Sequence, residues 1–187
     1  MKKNLEIETE RAILVILPAE DASLMLTFYH QNDKHLAPWE AERSKDFFTL
    51  NKWIKTTHNN QQLYQAGTDL KFSALNKSRT EILGTCNFSN IVHGVFQACH
   101  LGYSIAEKHQ GQGLMSEIVH AGIQYMFNNI GLHRIMANYV PANNRSEKLL
   151  TRLGFEQEGL AKSYLKINGQ WQDHILTSKI NLNKQST

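Results

Sequence analysis

One segment constrains this chain more than any other: LGYSIAEKHQGQGLMSEIVHAG, residues 101 to 122. An alternating strand pattern runs through a short turn with two glycines and straight into an amphipathic helix. Met115, Ile118, Val119, Gly122 and Met126 recur on one helical stripe. A strand that feeds a helix in this way requires a sheet for the helix to cover, so the segment predicts a mixed α/β architecture. Gly111 and Gly113 let the backbone turn tightly with no side chain over the helix mouth. The amides of Gln112, Gly113, Leu114 and Met115 are then first-turn donors, and the helix dipole adds partial positive charge there. Together they form a seat for a phosphate or pyrophosphate. An ordinary tight turn is the competing reading, because neither GxxxxGK[ST] nor GxGxxG is present.

The rest of the chain supplies the other layers. AILVIL, residues 12 to 17, is a short buried strand stopped by Pro18. Asp21 or Ser23 can cap a helix carrying Leu24, Met25, Phe28 and Tyr29, and after a loop holding HLAPWE a second helix presents Phe47, Leu50, Trp53 and Ile54. LKFSAL, ILGTCNFSNIV and ACHLGYSI predict a three-stranded antiparallel meander. Beyond the helix of about residues 113 to 129, HRIMANYV predicts a strand and NNRSEKLLTRLGF a helix ended by Gly154. The last two strands meet at Asn168 and Gly169, the pair that a type I′ hairpin turn demands. The expected order is βααβββ then αβαββ: about seven strands in a twisted, mixed, mostly antiparallel sheet flanked by about four helices.

With no linker or repeat, the 187 residues are expected to be one domain, 1 to 187, and 41% hydrophobic residues suffice for its core. The 20 Lys and Arg nearly balance 17 Asp and Glu, so the charge is not that of a nucleic-acid-binding module. Cys86 and Cys99 form no CxxC pair and are read as buried thiols, with no metal site expected. Two lysines near the N-terminus precede no apolar stretch, and no window reaches the length of a membrane span. A cytoplasmic location is the expectation.

Gln110, Gly113 and the strand and helix around them resemble the Q/RxxGxG/A motif of GNAT acetyltransferases, with Met115 standing where that motif has Gly or Ala. The stretch from Asn138 through PANNRS to LLTRLGF resembles the segment of the same superfamily that lines the pantetheine arm. HLAPWE, CNFSNIV, LGYSI, QGQGLM, HRIMANYVPANNRS, LLTRLGFEQEG and INGQWQDHILT, in this order, are similar to the bacterial RimJ-type ribosomal-protein alanine N-acetyltransferases. The resemblance covers the chain from residue 12 to residue 180 and implies the GNAT fold and acetyl-coenzyme A as cofactor, with coenzyme A as product. Its binding residues would be Gly102, Tyr103, Ser104, Ile105, Gln110, Gly111, Gln112, Gly113, Leu114, Met115, Asn138, Asn143, Ser146, Leu149 and Arg152. The implied acceptor is the N-terminal α-amine, Ala or Ser, of a ribosomal protein, with no nucleic acid or membrane required.

Acetyl transfer needs a neutral amine, and an α-amine of reference pKa about 7.7 to 8.0 is already roughly one tenth neutral at pH 7. A modest base is enough. Glu158, which matches the glutamate that related RimL-type enzymes are thought to use, is the first candidate, and His100 the second. Many GNAT enzymes place a tyrosine acid where this chain has Leu150, so Ser146 or Tyr139 would have to protonate the leaving thiolate. Backbone amides around residues 102 to 105 would polarise the thioester carbonyl. Trp39 and Glu40 can supply an aromatic wall and a carboxylate for a cationic N-terminus, with Tyr164 and Trp171 at the rim. Two other readings remain open: an acetyltransferase of small-molecule amines, and a non-catalytic, ribosome-associated factor that binds coenzyme A.

Overall fold

The structure is a computed structural model that describes residues 5–182; Lys2 and Lys3 of the N-terminal reading lie outside the described residues. A short edge strand β1 (Glu6–Glu8), which the sequence pattern did not suggest, pairs antiparallel with β2 (Ile13–Ile16). Its exposed, charged face carries little hydrophobic signal. Helix α1 (Ala22–Gln31) follows. The loop expected around Pro38 is wound instead into a single helical turn, α2 (Asp33–Leu36), and a 3₁₀ turn over Ala37–Trp39. Pro at an early helical position has its φ preset and no amide to satisfy, so it starts this turn rather than breaking it. Helix α3 (Leu50–Ala66) is capped by Thr49, whose hydroxyl accepts from the Lys52 amide, and stops at left-handed Gly67.

The expected meander is β3 (Leu70–Leu75), β4 (Ile82–Val92) and β5 (Ala98–Ile105), antiparallel throughout. Helix α4 (Leu114–Tyr125) then runs on through one wide π turn over Met126–Ile130 to left-handed Gly131. β6 (Arg134–Met136), α5 (Asn144–Arg152), β7 (Glu156–Ile167) and β8 (Gln170–Ile180) complete the chain. Asn168 and Gly169 both have positive φ, as the I′ turn requires. The eight strands form one sheet in the order β1-β2-β3-β4-β5-β6-β8-β7, so the expected fold class holds with one strand and one helical turn more.

Alternation along the strands builds two cores. Leu14, Phe72, Phe88 and Leu101 join Ile118, Val119 and Leu150 on one face, whereas Ile13, Val15 and Leu75 join Met25, Phe28 and Trp53 on the other. Both cysteines are buried free thiols, and burial holds Cys99 up at about 12. No helix among the described residues is long and apolar enough to cross a membrane.

The decisive irregularity is the pairing of β5 with β6. It is parallel, the one such pair in the sheet, and covers only Ala98 with Arg134, Cys99 with Ile135 and His100 with Met136. Past Met136 the chain follows β8 instead: the Ala137 amide donates to the Thr177 carbonyl at 3.0 Å, and Tyr139 and Ile175 exchange bonds at 3.1 and 2.8 Å. Only part of the expected strand over residues 133 to 140 is therefore ladder. Beyond His100, β5 loses its neighbour and the sheet opens in a V. On the other side β5 stays on β4, with the Ala106 amide donating to the Leu83 carbonyl. By antiparallel alternation the Tyr103 and Ile105 amides face the opening.

Gly84 fixes how closely β4 approaches that strand, since an added Cβ would lie 2.5 Å from the Ser104 carbonyl oxygen. Gly84→Ala is expected to cost about 1–3 kcal/mol of stability by overpacking, read as a lowered urea midpoint.

Candidate active site

Two cavities meet at the V. The larger, about 360 Å³, runs between the glycine loop and α5; the smaller, about 270 Å³, lies over β4, β5 and β8 beneath α1. Trp39, Glu40, Tyr103, Ser104, Asn143 and Ser146 line both, so they mark the junction.

Of the residues expected to hold the donor, Tyr103, Ser104, Ile105, Gln110, Gly111, Gly113, Leu114, Met115, Asn143, Ser146, Leu149 and Arg152 line the larger cavity. Gly102 and Asn138 line the smaller one. Gln112 lines neither; its carbonyl accepts from the Arg11 guanidinium at 2.9 Å and its amide side chain donates to the Lys108 carbonyl. Arg11, which the sequence reading passed over, clamps this loop to α4. Its backbone amide and its Nε hold the two oxygens of Glu117 at 2.8 and 2.7 Å, and no local pattern announces a partner so distant along the chain.

The glycine loop has the form a polyphosphate needs. Gly111 and Gly113 sit at φ of 73° and 74°, a Cβ at Gly111 would meet nothing within 4 Å, and no side chain caps α4. The first turn of this twelve-residue helix therefore has no side-chain cap among the described residues, the arrangement in which its amides can donate to an anion. Arg145, Lys148 and Arg152 line the same cavity and make no ion pair among the described residues, which suits phosphate groups. Gln110 is turned toward α2, its Nε2 lying 2.8 Å from His35 Nε2.

The catalytic candidates divide. Asn143 caps α5 by accepting from the Ser146 amide at 3.1 Å, which leaves the Ser146 hydroxyl at the cavity junction. Beside it is Tyr103, whose hydroxyl is buried without a hydrogen bond of good geometry. Burial pushes that phenol up to about 12, and the nearby Ser146 hydroxyl opposes the shift. Tyr139 lines the acceptor cavity with its backbone locked to β8. Leu150, standing where a tyrosine acid was sought, is core material at 1% exposure.

Glu158 is not brought to this junction. It lines neither cavity, accepts from Ser178 Oγ at 2.8 Å and is ion-paired with Arg134, and these hydrogen bonds, Arg134 first, hold its carboxyl below the usual range. His100 lines neither cavity either; burial lowers its pKa and its Nδ1 is buried without a partner. Neither can be seen to fail in sequence, since their displacement depends on which face of a paired strand each occupies.

On the acceptor side Trp39 and Glu40 are at the junction. Tyr164 lies one step behind. A bulge between Ala161 and Leu165, with Ser163 at φ 47°, re-aims β7 so that the Tyr164 hydroxyl accepts from Asn138 Nδ2 at 3.3 Å and its ring meets His174 at 5.5 Å. Trp171 is exposed and lines neither cavity. His174, absent from the sequence candidates, is a buried member of the acceptor wall whose Nδ1–H donates to the Gln172 carbonyl at 3.0 Å.

With this geometry in place, the family model for the GNAT acetyltransferase domain matches residues 11–156. The chain belongs to the GNAT acetyltransferases. It is 43% identical over 172 residues to the [ribosomal protein uS5]-alanine N-acetyltransferase of Escherichia coli (strain K12), which covers 92% of this chain and 89% of that one. The crystal structure of ribosomal-protein-S5-alanine acetyltransferase from Vibrio fischeri superimposes with a TM-score of 0.91 at 41% identity, over 96% of this chain and 98% of the other. RimJ of Mycobacterium smegmatis, solved in complex with CoA-disulfide, gives 0.88 at 25% identity over 97% and 90%.

The ion pair of Glu158 with Arg134 has a pH signature. Because its folded carboxyl lies below the ordinary 4.5, its contribution to stability is complete above about pH 4.5 and is lost as the pH falls through the folded value. The pair is at the surface, so the contribution should stay below about 1 kcal/mol. Glu158→Gln is expected to lower the urea midpoint slightly at pH 7, with the difference from wild type shrinking toward pH 3.

Proposed function

We propose that this GNAT enzyme transfers the acetyl group of acetyl-coenzyme A to the N-terminal α-amine of a ribosomal protein, with Ala or Ser as the first residue. The observation that carries the reading is the junction: a donor cavity with a bare helix mouth and three free cations meets, across Ser104, a small acceptor cavity closed by Glu40 and Trp39. The identity to a uS5-alanine N-acetyltransferase over nearly the full chain supports the acceptor class. On this reading the whole chain acts as one domain, in the cytoplasm where ribosomes are modified.

Acetyl-coenzyme A supplies the acyl group as a thioester. The residues of this chain do the rest. The amides of Gly113, Leu114 and Met115 would take the pyrophosphate, with Arg145, Lys148 and Arg152 beside them for the remaining phosphate. The Tyr103 and Ile105 amides, unclaimed by β6, would hold the thioester carbonyl and the charge that builds on it. Ser146, with the Tyr103 hydroxyl next to it, would supply the proton to the departing sulfur. The acceptor cavity, at about 270 Å³, suits a small first side chain, and the carboxylate of Glu40 would attract the positively charged N-terminus.

Two measurements test this. Gly113→Asp sets a carboxylate against the phosphates and is expected to raise the KM for acetyl-coenzyme A at least tenfold while changing the peptide KM little. A free N-terminal Ala peptide without lysine should be acetylated far faster at pH 7.5 than a blocked peptide carrying one lysine. The lysine amine, with a reference pKa near 10.4, is more than about a hundredfold poorer in its neutral form. Equal rates would leave only the wider acetyltransferase assignment.

A further inference from the structure

We propose that Glu40, oriented by Arg43, is the general base that takes the proton from the incoming α-amine. The inference rests on the N-terminal acetyltransferase reading and assigns a step that reading leaves without a residue, because Glu158 and His100 both lie away from the junction.

Position selects Glu40. Among the six residues that line both cavities it alone carries a carboxylate. Its backbone is held from outside, since the Asn168 amide at the tip of the β7–β8 hairpin donates to the Glu40 carbonyl at 2.8 Å. Its side chain is held from one side only. Arg43 donates to Oε2 at 3.1 Å, whereas Oε1 has no hydrogen bond among the described residues. Arg43 is itself fixed by an ion pair with Asp33 and by lying over the Phe47 ring at 4.8 Å and the Tyr29 ring at 5.5 Å. A carboxylate gripped at one oxygen and open at the other can point a lone pair at one place.

The electrostatic setting agrees with the geometry. Burial raises the Glu40 carboxyl, Arg43 and then His35 act against it, and Asp33 adds to it, so the group lies above the ordinary carboxylate value. The other ionisable groups that line the smaller cavity with it are the half-buried Tyr29 on α1, Tyr103 on β5, His174 on β8 and Tyr139, and those of the larger cavity are His109, Arg145, Lys148 and Arg152. Burial, and Glu40 itself, raise the Tyr29 phenol, so it stays neutral beside the carboxylate. The other strand residues of the acceptor wall, such as Thr85 and Asn87, carry no charge. A base of raised pKa is better matched to an ammonium near pKa 8 than a solvated carboxylate is.

The proton and electron balance is simple. Oε1 of Glu40 first takes one proton from the ammonium, which frees the nitrogen lone pair. The nitrogen then bonds to the carbonyl carbon, the carbon–sulfur bond breaks with its pair on sulfur, and the second proton that the nitrogen loses passes through water or the Ser146 hydroxyl to the thiolate. Coenzyme A leaves as the thiol, and Glu40 returns its one proton to solvent.

The test is thiol release from acetyl-coenzyme A with the N-terminal Ala peptide from pH 6 to 9.5, for wild type, Glu40→Gln, Glu40→Asp, Arg43→Gln, Glu158→Gln and His174→Gln. Glu40→Gln is expected to lower kcat about 10²- to 10³-fold at pH 7, with the deficit narrowing at least tenfold by pH 9.5, where the amine is already neutral. The Kd for coenzyme A should not change, and Glu40→Asp should restore part of the rate. Since Arg43 lowers the Glu40 carboxyl, Arg43→Gln should move the acidic limb of kcat/KM to higher pH, and this shift decides the matter if Glu40→Gln fails to fold. A Glu40→Gln enzyme with normal kcat and a raised peptide KM would make Glu40 a reader of charge and overturn the assignment, as would a pH-independent loss. So would a narrowing deficit in Glu158→Gln or His174→Gln but not in Glu40→Gln. If wild type acetylates spermidine and not the peptide, the acceptor reading fails, and the same profiles on spermidine still decide the role of Glu40.

Discussion

The site exists because β5 and β6 pair for only three residues. Parallel pairing is broken where Ala137 commits its amide to Thr177 on β8, and Asn138 reinforces the choice by accepting from the Thr177 amide at 3.3 Å. Beyond Met136 the chain stays on β8 and no longer pairs with β5, so the amides of Tyr103 and Ile105 are left facing an opening. Those groups would be a liability in a core. On the proposed reading they would serve as donors for a carbonyl, and the glycine turn that follows brings the α4 mouth to the same gap.

Much of this frame was readable in sequence, because it is written in local terms. The two glycines, the stripe of α4, the Asn-Gly turn and the cap of α5 depend on residues within a few positions of one another. They predicted the loop, the helices and the meander, and the resemblance of QGQGLM and LLTRLGF to known acetyltransferases gave the family. What escaped was set by distant pairing. Arg11 finds Glu117 across the whole first half of the chain, and the ladder of β6 is shorter than its apolar run because the second half follows a partner the sequence does not name, whereas the short β1 offers only Ile7 as an apolar signal.

The carboxylates show the same division. Glu158 and Glu40 have similar sequence credentials, each beside an aromatic or glycine-rich motif. In the fold Arg134 and Ser178 quench the first at the surface, whereas Arg43 takes a single oxygen of the second and burial raises its affinity for a proton. Which carboxylate is solvated, which is paired and which is left open at one oxygen is decided by tertiary structure. That is why a local motif could show the glycine turn and the helix after it but not the path of a proton.

The bond from Asn168 to the Glu40 carbonyl joins a turn near the end of the described chain to a loop in its first quarter. As the chain is synthesised from its N-terminus, the strand, glycine turn and helix that grip the donor emerge together, and their contacts are close in sequence. The acceptor wall waits for β8 to insert between β6 and β7 and for the hairpin tip to reach the earlier loop. The loop that carries Glu40 is therefore held in place only once both ends of the described chain have come together.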